Sequence, residues 1–479
     1  MLQGILYILI FLVEVAIFVK ARSRRIRQAA LLAGSYAVYL AWGHWFAAVL
    51  IVSTVMNYLV GLWLRRDQSW RALSIGILLN AGLLSTFKYL PELAVTLPFS
   101  SLQRFAHLAL PIGISFWTFQ AMSYLFDQYR GEDLDPSFLE FSLYMAFFPV
   151  AISGPVCRMP EMLPQFRSEE SVRWDRMERG FARIATGVLM MQVAKLLGQG
   201  ILGGDGINSG FDHLTQWTGA DVWCLVFGYG LQLFFDFAGY SHIAIGAASV
   251  LGIAVPENFN RPFQSTTASI FWTRWHMSLS FWIRDYVFFP LAAMRRQLWW
   301  RNLILVVSMV VFGVWHKATL LFVFWGFYHG VLLVLHRQLQ TVQRKFEREP
   351  HTALWTALSW ITTMALINVG WIFFRANSLR EANQMLRAVL APASYLSHFV
   401  SVSLFLLVVA VAGGYASVVV VAAVLDRYST EPKERGLMSF LAEKRWYWVP
   451  PLYGLTLIVL LIVTLTQNAS TAQFMYRAF

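Results

Sequence analysis

Charged residues are scarce in this sequence: Asp, Glu, Lys and Arg make up 13% of its 479 residues, about half their share in a soluble globular chain. That excludes a soluble enzyme with an ordinary hydrated surface. Cysteine is scarcer still. Cys157 and Cys224 are the only two, with no Cys-x-x-Cys and no Cys/His cluster. A disulfide framework is therefore excluded, and no zinc ligand set is visible. No P-loop is present, and neither a Gly-x-Ser-x-Gly elbow nor a glycine-rich dinucleotide turn sits in a strand–turn–helix context. The usual phosphate-transfer and hydride chemistries have no support. Internal repeats and long disordered linkers are also missing. Residues 1–20 lack a basic n-region and a small-residue cleavage site, so the first segment is expected to be a retained helix.

Apolar runs dominate instead: 57% of the chain is hydrophobic and its mean hydropathy is +0.54. Crossing about 30 Å of hydrocarbon takes about 20 apolar residues in a helix. Runs of that kind lie near 2–20, 29–45, 46–64, 72–89, 109–127, 138–157, 180–201, 220–253, 302–336, 353–374, 401–425 and 447–466. The expected fold class is all-α, a polytopic integral membrane protein with roughly ten to twelve helices at membrane depth, some of them re-entrant. The net charge of +12 reads as loops facing the cytoplasm and anionic headgroups, not as a nucleic-acid surface.

Basic clusters at 21–28, 64–71, 158–183, 294–301, 336–348 and 426–436 belong on the cytoplasmic side, which puts the N-terminus outside. The middle conflicts with this path. If 109–127 and 138–157 both crossed, the basic 158–183 stretch would fall outside. One of them is expected to be broken, since Pro111 opens the first and Pro149, Gly154 and Pro155 interrupt the second. Irregular backbone at membrane depth is tolerated only around protein or a water-filled cavity. The conflict thus points to an internal cavity.

Ionisable residues inside such a chain are candidate functional groups, because burying one is costly unless it is paired or hydrated. Three groups stand out. In YGLQLFFDFAGYSHIAIG, Asp236 and Tyr240 are four apart and share a helix face, with His242 close behind. A packing network and a reaction site both fit them. In FWTRWHMSLSFWIRDYVFFPL, Arg274, His276, Arg284 and Asp285 are crowded among tryptophans. The tryptophans read as interfacial anchors. His276 leans to function, since Lys or Arg would anchor better than a group titrating near neutrality. In FGVWHKATLLFVFWGFYHG, His316 and His329 are 13 residues apart and Lys317 adjoins the first. At about 100° per residue that separation is about 220° beyond three turns, so one continuous helix would point the two histidines apart. His329 and His336 share a face and His336 opens a basic loop, which makes His316 the deeper of the pair. Buried packing and catalysis both remain open for it.

Six ordered segments carry a resemblance: LPIGISFWTFQAMSYLFDQYRG (110–131), AFFPVAISGPVCR (146–158), LQLFFDFAGYSHIAIG (231–246), NRPF with FWTRWHMSLSFWIRDYVFFPL (260–291), GVWHKATLLFVFWGFYHG (313–330) and GWIFFRANSLREA (370–382). Together they resemble the membrane-bound O-acyltransferase family, in its branch of bacterial polysaccharide O-acetylation proteins. The resemblance implies one domain over residues 1–479, with a family core at about 40–390, a C-terminal transmembrane extension at about 391–479, and tilted helices around a central reaction chamber. It implies that His316 is the catalytic histidine and that His276, 40 positions earlier, is the second polar residue of the site. Asp236, Tyr240, His242, Arg274, Arg284, Asp285, Lys317 and His329 are then candidates for lining the chamber. Two positions depart from the branch: Lys317 replaces the glycine of Trp-His-Gly, and His242 stands where relatives often carry Asp.

The implied reaction moves an acetyl or short acyl group from a cytoplasmic donor, acetyl-CoA, across the bacterial inner membrane. A periplasmic acetyltransferase partner would then esterify a polysaccharide acceptor. Membrane lipids surround the chain, no cofactor is held permanently, no metal is involved and no nucleic acid is bound. The alternatives are D-alanyl transfer to a cell-wall polymer, a transporter using Asp236, His276 and His316 as a proton relay, and a structural scaffold. A transporter would more often show inverted repeats, which this sequence lacks. The acceptor, whether alginate, cellulose, peptidoglycan or another glycan, stays open.

Overall fold

A computed structural model describes residues 2–21, 23–96, 103–169, 173–201, 204–214, 216–345 and 352–429, so the apolar run at 447–466 lies outside the described residues. Among the described residues every regular element is helical. In chain order the α-helices are α1 (Leu2–Lys20), α2 (Arg24–Trp42), α3 (His44–Arg66), α4 (Trp70–Lys88), α5 (Leu90–Thr96), α6 (Ile114–Tyr129), α7 (Phe138–Ala146), α8 (Phe148–Ala151), α9 (Met159–Arg167), α10 (Trp174–Gln199), α11 (Ile207–His213), α12 (Gly219–Val250), α13 (Ala268–Trp272), α14 (Met277–Ile283), α15 (Phe289–Ala293), α16 (Leu298–His316), α17 (Leu320–Lys345), α18 (Ala353–Arg375), α19 (Leu379–Leu390) and α20 (Val402–Ser429). Eight of them, α3, α4, α10, α12, α16, α17, α18 and α20, contain a stretch long and apolar enough to cross a membrane. The chain is an all-α, multi-pass membrane protein.

Two of the other apolar runs are short or broken, and one divides in two. The 109–127 run yields only the sixteen residues of α6. The 138–157 run is broken, as its prolines and glycine foretell: α7 stops at Ala146, α8 lasts one turn, and extended backbone follows. The 302–336 run divides into α16 and α17.

Two compact units emerge. The first comprises Met1–Thr186, Tyr240–Asn260 and Trp272–Ala318; the second comprises Gly187–Gly239, Arg261–Phe271 and Thr319–Phe479.

The first unit is organised around α6, which is buried on nearly every side despite carrying Ser115, Thr118, Gln120, Ser123, Asp127 and Gln128. A helix buried all round belongs to the interior, not to a lipid face. Helices α3 and α4 pack against it. They come close because Gly61 meets Tyr124 and Gly76 meets Leu125, and a Cβ at either glycine would collide. Asn57 of α3 and Asn80 of α4 exchange side-chain hydrogen bonds of 3.1 and 2.6 Å, both fully buried. Such polar pairs join helices where lipid offers no hydrophobic drive to associate. Helix α7 starts on a capping box between Ser137 and Glu140. Arg167 then binds the same Glu140 carboxylate at 2.9 Å. Burial alone would push that carboxyl up, but Arg167 and the Ser137 N–H and O–H outweigh it and hold it at about 2.

In the second unit, α17 packs on α18 and α18 on α19, through the rings of Phe322, Trp325, Trp371 and Phe374. The start of α12 is tied to the 390s by Asp221, whose carboxylate accepts from the Thr218 hydroxyl at 2.7 Å and from the Phe399 and Val400 N–H groups at 3.0–3.1 Å.

Candidate functional site

Helix α16 begins beside Arg301 and its arginine-rich approach, and ends on His316. It stops there because Lys317 takes extended backbone (φ −155°, ψ 135°) and because Thr319 starts the next helix. The Thr319 carbonyl accepts from the Phe322 and Val323 N–H groups, as the residue before a helix does. The run is therefore not one continuous helix: it breaks at 317–319, with His316 at the end of α16 and His329 inside α17, 7% and 1% exposed.

His276 reaches the same neighbourhood by a different route. It is the residue before α14 and adopts the left-handed conformation, φ 44° and ψ 51°. For a residue with a Cβ this strains the backbone by about 1–2 kcal/mol. Three backbone hydrogen bonds hold it: Asn260 N–H to the Arg274 carbonyl, Met277 N–H to the Asn258 carbonyl, and Ser280 N–H to the His276 carbonyl. Strain kept in place by such bonding is common where a side chain must be aimed.

The two histidines share their aromatic neighbours. Phe312, one turn before His316, stacks on the His316 ring at 5.4 Å and meets the His276 ring edge-on at 6.2 Å. Trp315 lies 4.6 Å from the His316 ring and 6.3 Å from the His276 ring, centre to centre. His276 is 2% exposed, and burial pushes its pKa down to about 3. It is therefore a neutral imidazole at any physiological pH.

Sequence reasoning missed Asn258. It is fully buried and touches His276 Nδ1 at 3.4 Å. Its Oδ1 accepts from the Ser278 hydroxyl at 2.6 Å and its Nδ2 donates to Ser241 at 3.1 Å. Asn258 ties the strained histidine, the start of α14 and the middle of α12 together. The visible signal is a pair of asparagines in PENFNRPF, just upstream of the histidine block.

Lys88 was missed as well, and it changes the reading of Lys317. The Lys317 side chain is half exposed and turns to Glu92, with Nζ 3.8 Å from Oε1. The cation against the site is Lys88, at the end of α4, whose Nζ stands over the Trp315 ring at 4.7 Å. The neighbouring Tyr89 hydroxyl donates to the Trp315 carbonyl at 3.4 Å.

Two further candidates form a separate cluster in this unit. Arg284 and Arg158 both bind the Asp285 carboxylate, at 2.6 and 2.8 Å. Burial would raise that carboxyl, but the two guanidinium groups win and lower it. Arg130 donates to the Asp285 carbonyl at 2.7 Å, and Tyr286 donates to the buried Asp127. Helix α14 separates this cluster from His276, and Arg284 and Asp285 open the π-turn that follows it. Arg274 is half-buried, and its carbonyl serves the loop that holds His276. On α12, Tyr240 bonds to Ser153, and His242 keeps a buried Nδ1 with no hydrogen-bond partner among the described residues.

The structure places Asp236 and His329 in the second unit. Asp236 is half-buried on α12. His329 packs against Trp325 at 4.9 Å and Tyr328 at 5.3 Å, and its ring lies where a Cβ at Gly370 would collide with it. It is built into the α17–α18 seam.

Comparison with known proteins adds an independent finding. The family model described as "MBOAT, membrane-bound O-acyltransferase family" matches residues 68–379. The chain is 34% identical over 382 residues to a probable alginate O-acetylase AlgI of Azotobacter vinelandii, covering 76% of this chain and 73% of that protein. It is 31% identical over 398 residues to a peptidoglycan O-acetyltransferase of Helicobacter pylori, covering 75% and 73%. A teichoic acid D-alanyltransferase of Bacillus subtilis matches at 32% over 281 residues, covering 55% of this chain and 68% of that protein.

Proposed function

The chain belongs to the membrane-bound O-acyltransferase family and is an O-acyltransferase; on that premise we propose that it takes an acetyl group from acetyl-CoA on the cytoplasmic side and delivers it for O-acetylation of an extracytoplasmic polysaccharide. The observation that carries this reading is the convergence of His276 and His316 on the rings of Phe312 and Trp315. One imidazole is neutral and fixed in place; the other terminates its helix beside it.

In the proposed reaction His316 is the general base. As the acceptor oxygen attacks the thioester carbonyl, the hydroxyl proton passes to the imidazole. As the C–S bond breaks, that proton goes to the departing thiolate. General-base proton transfer from a positioned side chain contributes about 10²–10⁴-fold in such steps. His276, neutral and anchored by Asn258, orients an acyl or acceptor oxygen by a hydrogen bond. The basic loops, including Arg65, Arg66 and Arg71, draw the anionic donor to the cytoplasmic side by long-range electrostatics. The chain sits in the bacterial inner membrane with its N-terminus periplasmic, and a periplasmic acetyltransferase partner completes the ester. Acetyl transfer is favoured over D-alanyl transfer because the acetylase relatives align with 76% of the chain and the D-alanyltransferase with 55%.

Donor choice tests this. Proteoliposomes holding the purified protein, with an added oligosaccharide as the hydroxyl acceptor, are offered acetyl-CoA or, separately, a D-alanyl thioester on a carrier protein. Release of CoA above the protein-free background supports the proposal. Turnover of the D-alanyl thioester alone moves the assignment to alanylation. Turnover of neither overturns both.

A further inference from the structure

Resting on the acyl-transfer reading, we propose that Trp315 is a catalytic residue whose indole N–H binds the carbonyl oxygen of the acyl group and stabilises the oxyanion formed on it.

Trp315 is 6% exposed, and its Nε1 is buried with no hydrogen-bond partner among the described residues. Leaving a buried N–H unmade costs about 1–3 kcal/mol, and buried indole N–H groups usually find an acceptor. The fold supplies such acceptors to some tryptophans and not to others; Trp117 Nε1 is likewise buried with no hydrogen-bond partner among the described residues. Trp282 donates to the Phe119 carbonyl at 3.0 Å, Trp300 to Leu291 at 2.8 Å and Trp360 to Phe263 at 2.7 Å. The rings packed on Trp315 are those of Phe116, Phe119, Phe312, His276 and His316. None of the phenyl rings can accept a conventional hydrogen bond. A donor is thus held unspent beside the two histidines.

The indole is also fixed and polarised. Phe119 packs at 5.3 Å, the Tyr89 hydroxyl holds the Trp315 carbonyl, and the Lys88 ammonium stands over the ring at 4.7 Å. In its protonated form Lys88 draws electron density from the ring and strengthens the N–H as a donor. Acyl transfer needs such a donor. When the acceptor oxygen bonds to the carbonyl carbon and His316 takes the hydroxyl proton, the C=O π-pair moves onto oxygen. The indole N–H stabilises that charge. When the π-bond re-forms, the C–S bond breaks and the thiolate leaves with the proton from His316. Donors that are preorganised in a site shielded from water are the largest single term in many acyl transfers.

The test replaces Trp315 by 3-benzothienylalanine, which keeps the bicyclic ring and puts sulfur in place of N–H, and compares it with Trp315→Phe and wild type. All three are assayed for CoA release from acetyl-CoA, with thermal stability measured in parallel. The expected result for benzothienylalanine is a kcat lowered about 10²–10³-fold, the loss typical of one missing oxyanion donor, with KM for acetyl-CoA within threefold and stability no lower than wild type. A kcat within threefold of wild type overturns the proposal, as does a change confined to KM. Trp315→Phe is expected to share the kcat loss, so a Phe variant of wild-type kcat also overturns it. If wild type itself turns over no acyl thioester, the acyl-transfer reading fails, and this inference with it.

Discussion

Asn258→Asp should convert an almost pH-independent histidine into a titrating one. In the wild type, burial keeps His276 at about 3, and the neighbouring Asn258 Oδ1 is neutral. The substitution is nearly isosteric and leaves the oxygen 3.4 Å from Nδ1 in place, but makes it anionic. At an effective dielectric of about 20, two unit charges at that distance attract by about 5 kcal/mol. That corresponds to an upward shift of at most about 3.5 pKa units. Burying the new carboxylate opposes ionisation and takes back part of this, leaving about 1–3 units. The sign follows from which form gains: an adjacent anion favours the imidazolium, so the His276 pKa rises towards 4–6. If His276 must be neutral to act, the variant loses activity as the pH falls through that range, while the wild type holds its rate until other groups titrate. The assay is CoA release from acetyl-CoA at pH 4.5 to 8, with folded protein verified at each pH. Superposable acid limbs for wild type and variant would refute the reasoning, because they would mean that Asn258 does not govern the charge state of His276.

Other consequences are checked by stability and kinetics. Asn57→Leu leaves the fully buried Asn80 side chain without its partner and should destabilise by about 1–2 kcal/mol. The Asn57→Leu/Asn80→Leu double variant should recover most of that, so a thermal-shift double-mutant cycle that adds up instead of compensating would contradict the pairing. Glu140 sits below its ordinary value in the folded chain, so its contribution is fully present above about pH 4.3 and is lost as the pH falls towards 2. Because Arg167 is partly exposed, solvent screening limits that contribution to about 1 kcal/mol, and Glu140→Gln should lower stability by that amount at pH 7 but by progressively less on acidification. Lys317→Ala should change kcat less than threefold, since its side chain points at Glu92, whereas Lys88→Met should lower kcat about tenfold by removing the cation from Trp315; the reverse order would contradict the geometry.

Much of the architecture is legible in the residues. Pro149, Gly154 and Pro155 announce the break that ends α7 and reduces α8 to one turn, and scarcity of charge announces a membrane chain. The order of the six motif blocks brings His316 and His276 to attention although 40 residues separate them. Periodicity misleads at 302–336, where a continuous apolar run conceals two helices. Thr319 before an apolar stretch is the local feature that starts the second of them. The contacts that arm the site are a different matter. Lys88 meets Trp315 across more than two hundred residues, and Asn258 meets His276 from a loop. Neither residue looks unusual locally: Lys88 reads as an ordinary basic residue at a helix end, and Asn258 as a turn residue. Only the packing of α4 and α16 in the first unit, and the left-handed turn at His276, give them a place in the chemistry.

The central claim is that His316 takes the acceptor proton. Purified wild type and His316→Ala, both folded and in lipid, are given radiolabelled acetyl-CoA, and the initial rate of CoA release is compared with donor binding measured on the same samples. The account predicts release reduced at least about 10²-fold in the variant, with donor binding retained. Equal release by the two proteins would contradict it.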